Sequence, residues 1–284
     1  MTTHPTSPFH VEIRGGGDPP VVLVHGFGAH GGFWRRWLPR LEARHTVHVV
    51  DLKGFGKAPA PPGSDYSPLA QARHLVELLR GFGRIPPIVI GHSLGAGIVV
   101  AATLRLMDEG GARLPGGLVL VSGAVYPQKL PPFLRLAQLP GIGDLFLLAP
   151  PPRFALRMGI RTIVHDRDTV NAEQVEMYRK PLRSFRRRRA ILRAARQIGV
   201  ENGGKVAQRI GEIDLPVLLL WGEEDPVVPL RLGRQLAAEL PDSRLVILPG
   251  VGHLPPEEAP DASLDPVLAF LDERSGQRRW RKVE

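Results

Sequence analysis

A repeated alternation constrains this chain more than any other feature. Short apolar runs, each about as long as a buried strand, take turns with longer amphipathic stretches. The runs are "VVLV" at Val21–Val24, "VHVV" at 47–50, "PIVI" at 87–90, "LVLV" at 118–121, "VLLLW" at 217–221 and "LVIL" at 245–248. Runs so rich in Val, Ile and Leu read as strands covered on both faces. Between them, 33–43, 67–82, 94–109, 230–239 and 263–273 carry helical patterns. This rhythm predicts an α/β fold, a parallel sheet with helices on both faces. Residues 9–13 add an antiparallel edge strand. The 284 residues suffice for one large α/β domain with an insertion, and 43% hydrophobic residues suffice for its core.

The alternation breaks between 125 and 213. That segment is proline-rich at first ("YPQKLPPFLRLAQLPGIG", "LLAPPPRF"), then basic and helical, with no strand-like run. It reads as a helical insertion over one end of the sheet. The expected organisation is a core in two parts, 1–124 and 214–284, interrupted by a helical cap at 125–213. The tail "SGQRRWRKVE" reads as a solvated end.

"IGHSLGAG" at 90–97 lies where a predicted strand gives way to a predicted helix. In G-x-S-x-G the serine occupies a sharp, strained turn, and glycines on either side let strand and helix approach it. Gly91 and Gly95 hold those places around Ser93. Such a turn exposes the hydroxyl at the carboxyl edge of the sheet, where open α/β folds bind ligands. A serine nucleophile needs a base, and the base needs an orienting carboxylate. Downstream, "GEEDPVVP" places Asp225 after one strand and "PGVGHLPPEE" places His253 after the next. Glu223 and Glu224 share the first loop and are rival acids; Asp225 stands deepest against the segment that starts the next helix. Ser93, Asp225 and His253 all follow strands on one edge of the sheet, which points to a catalytic triad. The oxyanion donors expected are the backbone N–H groups of Leu94, just after the serine, and of Phe27 in "HGFGAHGG". Gly26 lets that loop turn tightly. The same loop lacks the G-x-x-x-x-G-K-[ST] pattern of a P-loop.

On these residues the chain resembles the α/β-hydrolase superfamily along nearly its whole length. The matching pieces are "HGFG" at 25–28, "DLKGFG" at 51–56, "GHSLG" at 91–95, "GEEDPVVP" at 222–229 and "GVGHLPPEE" at 250–258. The resemblance implies a mostly parallel sheet of eight strands, with the cap after the sixth. It also implies that "DLKGFG" is a structural turn and that His92 packs rather than reacts. Dehalogenases and epoxide hydrolases of this superfamily carry Asp where Ser93 stands, so Ser93 implies acyl transfer. The layout is similar to that of single-domain esterases, carrier-protein methyl esterases and meta-cleavage-product hydrolases. The last group usually carries an aromatic residue after the catalytic histidine, where this chain has Leu254. The expected reaction is therefore cleavage of a carboxylic ester with an apolar acyl or aryl group. Carbon–carbon bond hydrolysis and a slow-turnover ligand-binding protein are the alternatives. No metal or cofactor is implied.

With no cysteine, thiolate nucleophiles and zinc–thiolate sites are excluded. The net charge of +9 is concentrated in "PLRSFRRRRAILRAARQ", where Arg183, Arg186, Arg187, Arg188, Arg189, Arg193 and Arg196 cover more than one helix face. Some must be solvated; an acidic partner could dock there. No nucleic-acid-binding module is recognisable. The first residues show no signal-peptide pattern, and no apolar run is long enough to span a bilayer, so the expected location is cytoplasmic, as a monomer or homodimer.

Overall fold

The computed structural model describes residues 8–110, 114–199 and 203–275. Within them one sheet is built from β1 (His10–Gly15), β2 (Val21–Val24), β3 (Thr46–Asp51), β4 (Ile88–His92), β5 (Gly117–Val121), β6 (Val217–Gly222) and β7 (Ser243–Leu248), in the order β1-β3-β2-β4-β5-β6-β7. Only β1 runs antiparallel, against β3. Every residue of β2, β4, β5 and β6 is buried. Their side chains divide by parity, as the two-residue period of a strand requires. Val22, Val24, Val89, Leu118 and Leu120 join one apolar layer; Val21, Leu23, Ile90, Val119 and Val121 join the other.

Helices α2 (Pro68–Arg80), α3 (Leu94–Asp108) and α10 (Leu230–Glu239) cover the first layer; α1 (Leu38–Glu42) and α12 (Pro260–Arg274) cover the second. Between β5 and β6 lie α4 (Pro132–Gln138), α5 (Ile142–Leu148), α6 (Arg153–Arg161), α7 (Ala172–Leu182), α8 (Phe185–Gln197) and α9 (Gly203–Ala207), with no strand among the described residues there. The short α11 (Pro255–Glu258) precedes α12.

Three expectations need comment. Eight strands were implied, and the described residues form seven. Only Pro8 and Phe9 precede β1 among the described residues, and Pro8 has no N–H to give to a further ladder. The helix expected over 33–43 is divided into a 3-10 turn at Gly31–Trp34 and α1, because Pro39 is tolerated only in a helix's first turn. The solvated tail expected at 275–284 lies, from 276 on, outside the described residues.

The chain moves from β2 to β3 on one side and returns to β4 on the other. The loops after β2 and β4 therefore part at the carboxyl edge and leave a crevice between them.

Candidate active site

Ser93 stands between β4 and α3 with φ 52° and ψ −119°. A non-glycine residue held there costs roughly 1–3 kcal/mol, which the surroundings must offset. Its N–H donates to the Val121 carbonyl at 2.9 Å, and its carbonyl accepts the N–H groups of Ala96 and Ala124, each at 3.0 Å. The three glycines singled out in the sequence each allow a close approach. A Cβ on Gly91 would lie 2.7 Å from Ala96 Cα, one on Gly95 2.4 Å from the Val24 carbonyl oxygen, and one on Gly26 2.8 Å from His92 Nδ1.

The structure brings the three distant side chains together. His253 Nε2 lies 3.0 Å from Ser93 Oγ, and His253 Nδ1 lies 2.8 Å from Asp225 Oδ2. A carboxylate accepts, so Nδ1 carries the proton and the Nε2 lone pair faces the serine hydroxyl. The other oxygen of Asp225 accepts the N–H groups of Val227 and Val228, both at 2.8 Å. Asp225 is buried, while the rival acids Glu223 and Glu224 are exposed. Phe27 and Leu94 line the same cavity as Ser93, and neither backbone N–H has an acceptor among the described residues.

The sequence of the alpha/beta hydrolase family matches residues 21–265. The chain belongs to that family. A pimeloyl-(acyl-carrier protein) methyl ester esterase of Chromobacterium violaceum is 31% identical to this hydrolase over 251 residues, covering 86% of this chain and 91% of that one. A 2-hydroxy-6-oxo-6-phenylhexa-2,4-dienoate hydrolase of Burkholderia cepacia is 27% identical, covering 92% and 90%. An alpha/beta hydrolase fold protein of Burkholderia ambifaria superposes with a TM-score of 0.80 at 28% identity, covering 92% and 93%.

Two further histidines of this hydrolase are held neutral. Burial lowers the pKa of His25 to about 4, against the opposing pull of Asp51. Its Nε2 accepts the Leu52 N–H at 3.1 Å, so Nδ1 carries the proton and donates to the Gly26 carbonyl at 2.7 Å. The loop bearing Phe27 is thereby fixed to the end of β3. His92 is pushed well below its ordinary value, mainly by burial and then by His253. It stacks on Phe33 with ring centroids 4.5 Å apart, and its Nε2 donates to the His253 carbonyl at 2.8 Å. It packs, as expected, and it also holds the His253 backbone. Asp51 is structural as well: its carboxylate accepts the N–H groups of Gly31 and Lys57, each at 2.6 Å.

Other residues around the base are not recognisable from the sequence alone. The His253 N–H donates to the Ile163 carbonyl at 2.9 Å. Glu258 accepts N–H groups from Gly252 (2.9 Å), Leu254 (2.9 Å) and His165 (2.8 Å). Glu257 is buried; its carboxylate accepts from Arg35 at 2.9 Å, from Tyr178 at 3.3 Å and from Gln174. Both acids thus tie the inserted segment to the loop and helix beside the base. Runs of Pro and Glu after a histidine carry no signal that tells these contacts apart.

Beside Ser93 opens a cavity of about 330 Å³. Leu134 and Phe146 of α4 and α5, Leu156 and Ile160 of α6, Leu182 of α7 and Ile191 of α8 contribute to its walls. Among the described residues no Arg or Lys lines it, and Gln128 and Tyr178 are its polar members away from the serine and histidines.

Proposed function

We propose that this hydrolase cleaves a carboxylic ester bearing an apolar acyl or aryl group, through an acyl-enzyme on Ser93. The observation that carries this reading is the chain of contacts Ser93 Oγ–His253 Nε2 at 3.0 Å and His253 Nδ1–Asp225 Oδ2 at 2.8 Å, opening onto an apolar cavity.

On this reading His253 takes the Ser93 proton as Oγ attacks the ester carbonyl. Asp225 keeps the imidazole in the required tautomer and stabilises its charged form. The N–H groups of Phe27 and Leu94 receive the developing oxyanion, each worth roughly a hundred- to a thousandfold in turnover at comparable sites. His253 then protonates the leaving alcohol. It next takes a proton from water, and the resulting attack releases the acid and restores Ser93. Residues 125–213 form the cap, whose inner faces hold the acyl group against the serine. An apolar wall matches an apolar acyl chain.

The cavity favours an ester over a carbon–carbon substrate. A dienoate carries a carboxylate, and burying it without a cationic partner is costly; the described residues of the walls offer none. The test is a panel of nitrophenyl esters of graded acyl length, run beside a dienone substrate. Ester turnover should exceed dienone turnover, and Ser93→Ala should lower it by at least about a thousandfold. Near wild-type turnover in the variant would refute the assignment.

A further inference from the structure

The inserted segment is apolar on both sides. Of the ten exposed large apolar side chains among the described residues, eight lie between 136 and 185. While α4 and α5 turn Leu134 and Phe146 toward the cavity, Leu136, Leu139 just after α4, Ile142, Leu145 and Leu148 are exposed to solvent, with Leu136 and Leu148 on the sides of their helices away from Leu134 and Phe146. Leu145 is 64% exposed and Leu148 79%, so neither is explained by packing. On α6, which follows after "APPP", Phe154 and Met158 are also exposed, one turn apart. Exposed large apolar side chains concentrated in one segment in this way mark an interaction site.

The charges beside it are mostly basic, although Arg153 and Arg161 pair with Glu176 and Asp168. Between 129 and 163 the basic residues are Lys129, Arg135, Arg153, Arg157 and Arg161, against the single acid Asp144, which is held by Arg196 at 3.0 Å. Lys129, Arg135 and Arg157 are exposed and make no ion pair among the described residues. Large apolar side chains interleaved with cations match the two layers of an anionic lipid surface: acyl region below, phosphates above.

We propose that the outer face of α4 and α5, with the start of α6, docks on an anionic membrane surface. A second copy of this chain fits less well, because a twofold contact would set these cations against themselves. An acidic protein would instead suit the exposed Arg186, Arg189 and Arg193 of α8. Among the described residues no helix is long and apolar enough to cross a membrane, so the contact is peripheral. Docking would bring α4 and α5, the wall between cavity and solvent, against a source of long acyl chains.

The experiment is sedimentation of the full chain with vesicles of phosphatidylglycerol and phosphatidylcholine in equal parts, against phosphatidylcholine alone. Binding should require the anionic lipid, weaken with salt, and fall about tenfold or more in Leu145→Gln/Leu148→Gln. Arg135→Gln/Arg157→Gln should weaken it too. Both pairs lie outside the cavity, so hydrolysis of nitrophenyl acetate should be unchanged. Vesicle binding is read equally well in Ser93→Ala, so its failure and a failure of the ester reading are distinguishable. Absence of vesicle binding, wild-type binding by the leucine pair, or a dimer that this pair dissociates would each overturn the proposal. So would retention on an immobilised acidic carrier protein that replaces vesicle binding.

Discussion

The carboxylate of Glu258 holds the peptide on both sides of His253, whereas Glu257, one residue earlier, points to Arg35, Gln174 and Tyr178. Removing Glu258 leaves the N–H groups of Gly252, Leu254 and His165 without their acceptor. Each such loss costs roughly 1–3 kcal/mol where water cannot replace it, and here it loosens the imidazole. Glu258→Ala should therefore lower kcat about tenfold or more, with a smaller change in KM, because positioning of the base matters most in the transition state. Glu258→Gln keeps one accepting oxygen and should recover part of the loss. Equal falls from both variants, or a change confined to KM, would count against this role. The contacts among Ser93, Asp225 and His253 and the close approaches at Gly26, Gly91 and Gly95 could be anticipated from the sequence, because steric need and chemistry restrict which residues can stand there. Glu258 was not, because two adjacent carboxylates look alike until their contacts are known.

The strands announce themselves because burial on both faces forces unbroken apolar runs, and all six of the runs seen in the sequence correspond to strands. Helix ends are less readable: the 33–43 stretch has the right spacing throughout, yet Pro39 resets where a helix can begin. The basic run of α8 divides in a way its charge does not reveal. Arg188 is buried; its guanidinium donates to the carbonyls of Leu182 (2.8 Å), Leu147 (2.9 Å) and Arg183 (3.1 Å). Arg187 donates to the carbonyls of Phe55 and Ala58. These two are fasteners within the insertion and to the core, whereas Arg186, Arg189 and Arg193 are exposed. Arg188→Met keeps the stem and strands the carbonyls, so it should destabilise the fold by about 3 kcal/mol. Arg189→Met should cost under about 0.5 kcal/mol. Urea denaturation of both variants separates the two expectations.

The molecule as a whole buries neutral histidines. His25 is lowered from 6.5 to about 4, and burial also lowers His45, His48, His74 and His92. Between those values the unfolded chain binds more protons than the folded one. The stability His25 contributes is therefore complete above about pH 6.5 and is lost as pH falls toward about 4, and the other four lose theirs in the same direction. For His25 alone the difference amounts to about 3 kcal/mol. The urea midpoint should fall clearly between about pH 7.5 and about pH 5.5, and less so in His25→Gln. A midpoint that holds or rises on acidification would contradict this.

The backbone of His253 is stitched through its N–H to Ile163, and that of Gly252 shares Glu258 with His165. The insertion therefore cannot swing away as one piece without releasing the base. Anything wedged between 163–165 and the 252–254 loop would therefore displace His253 from Ser93 without entering the apolar cavity beside them.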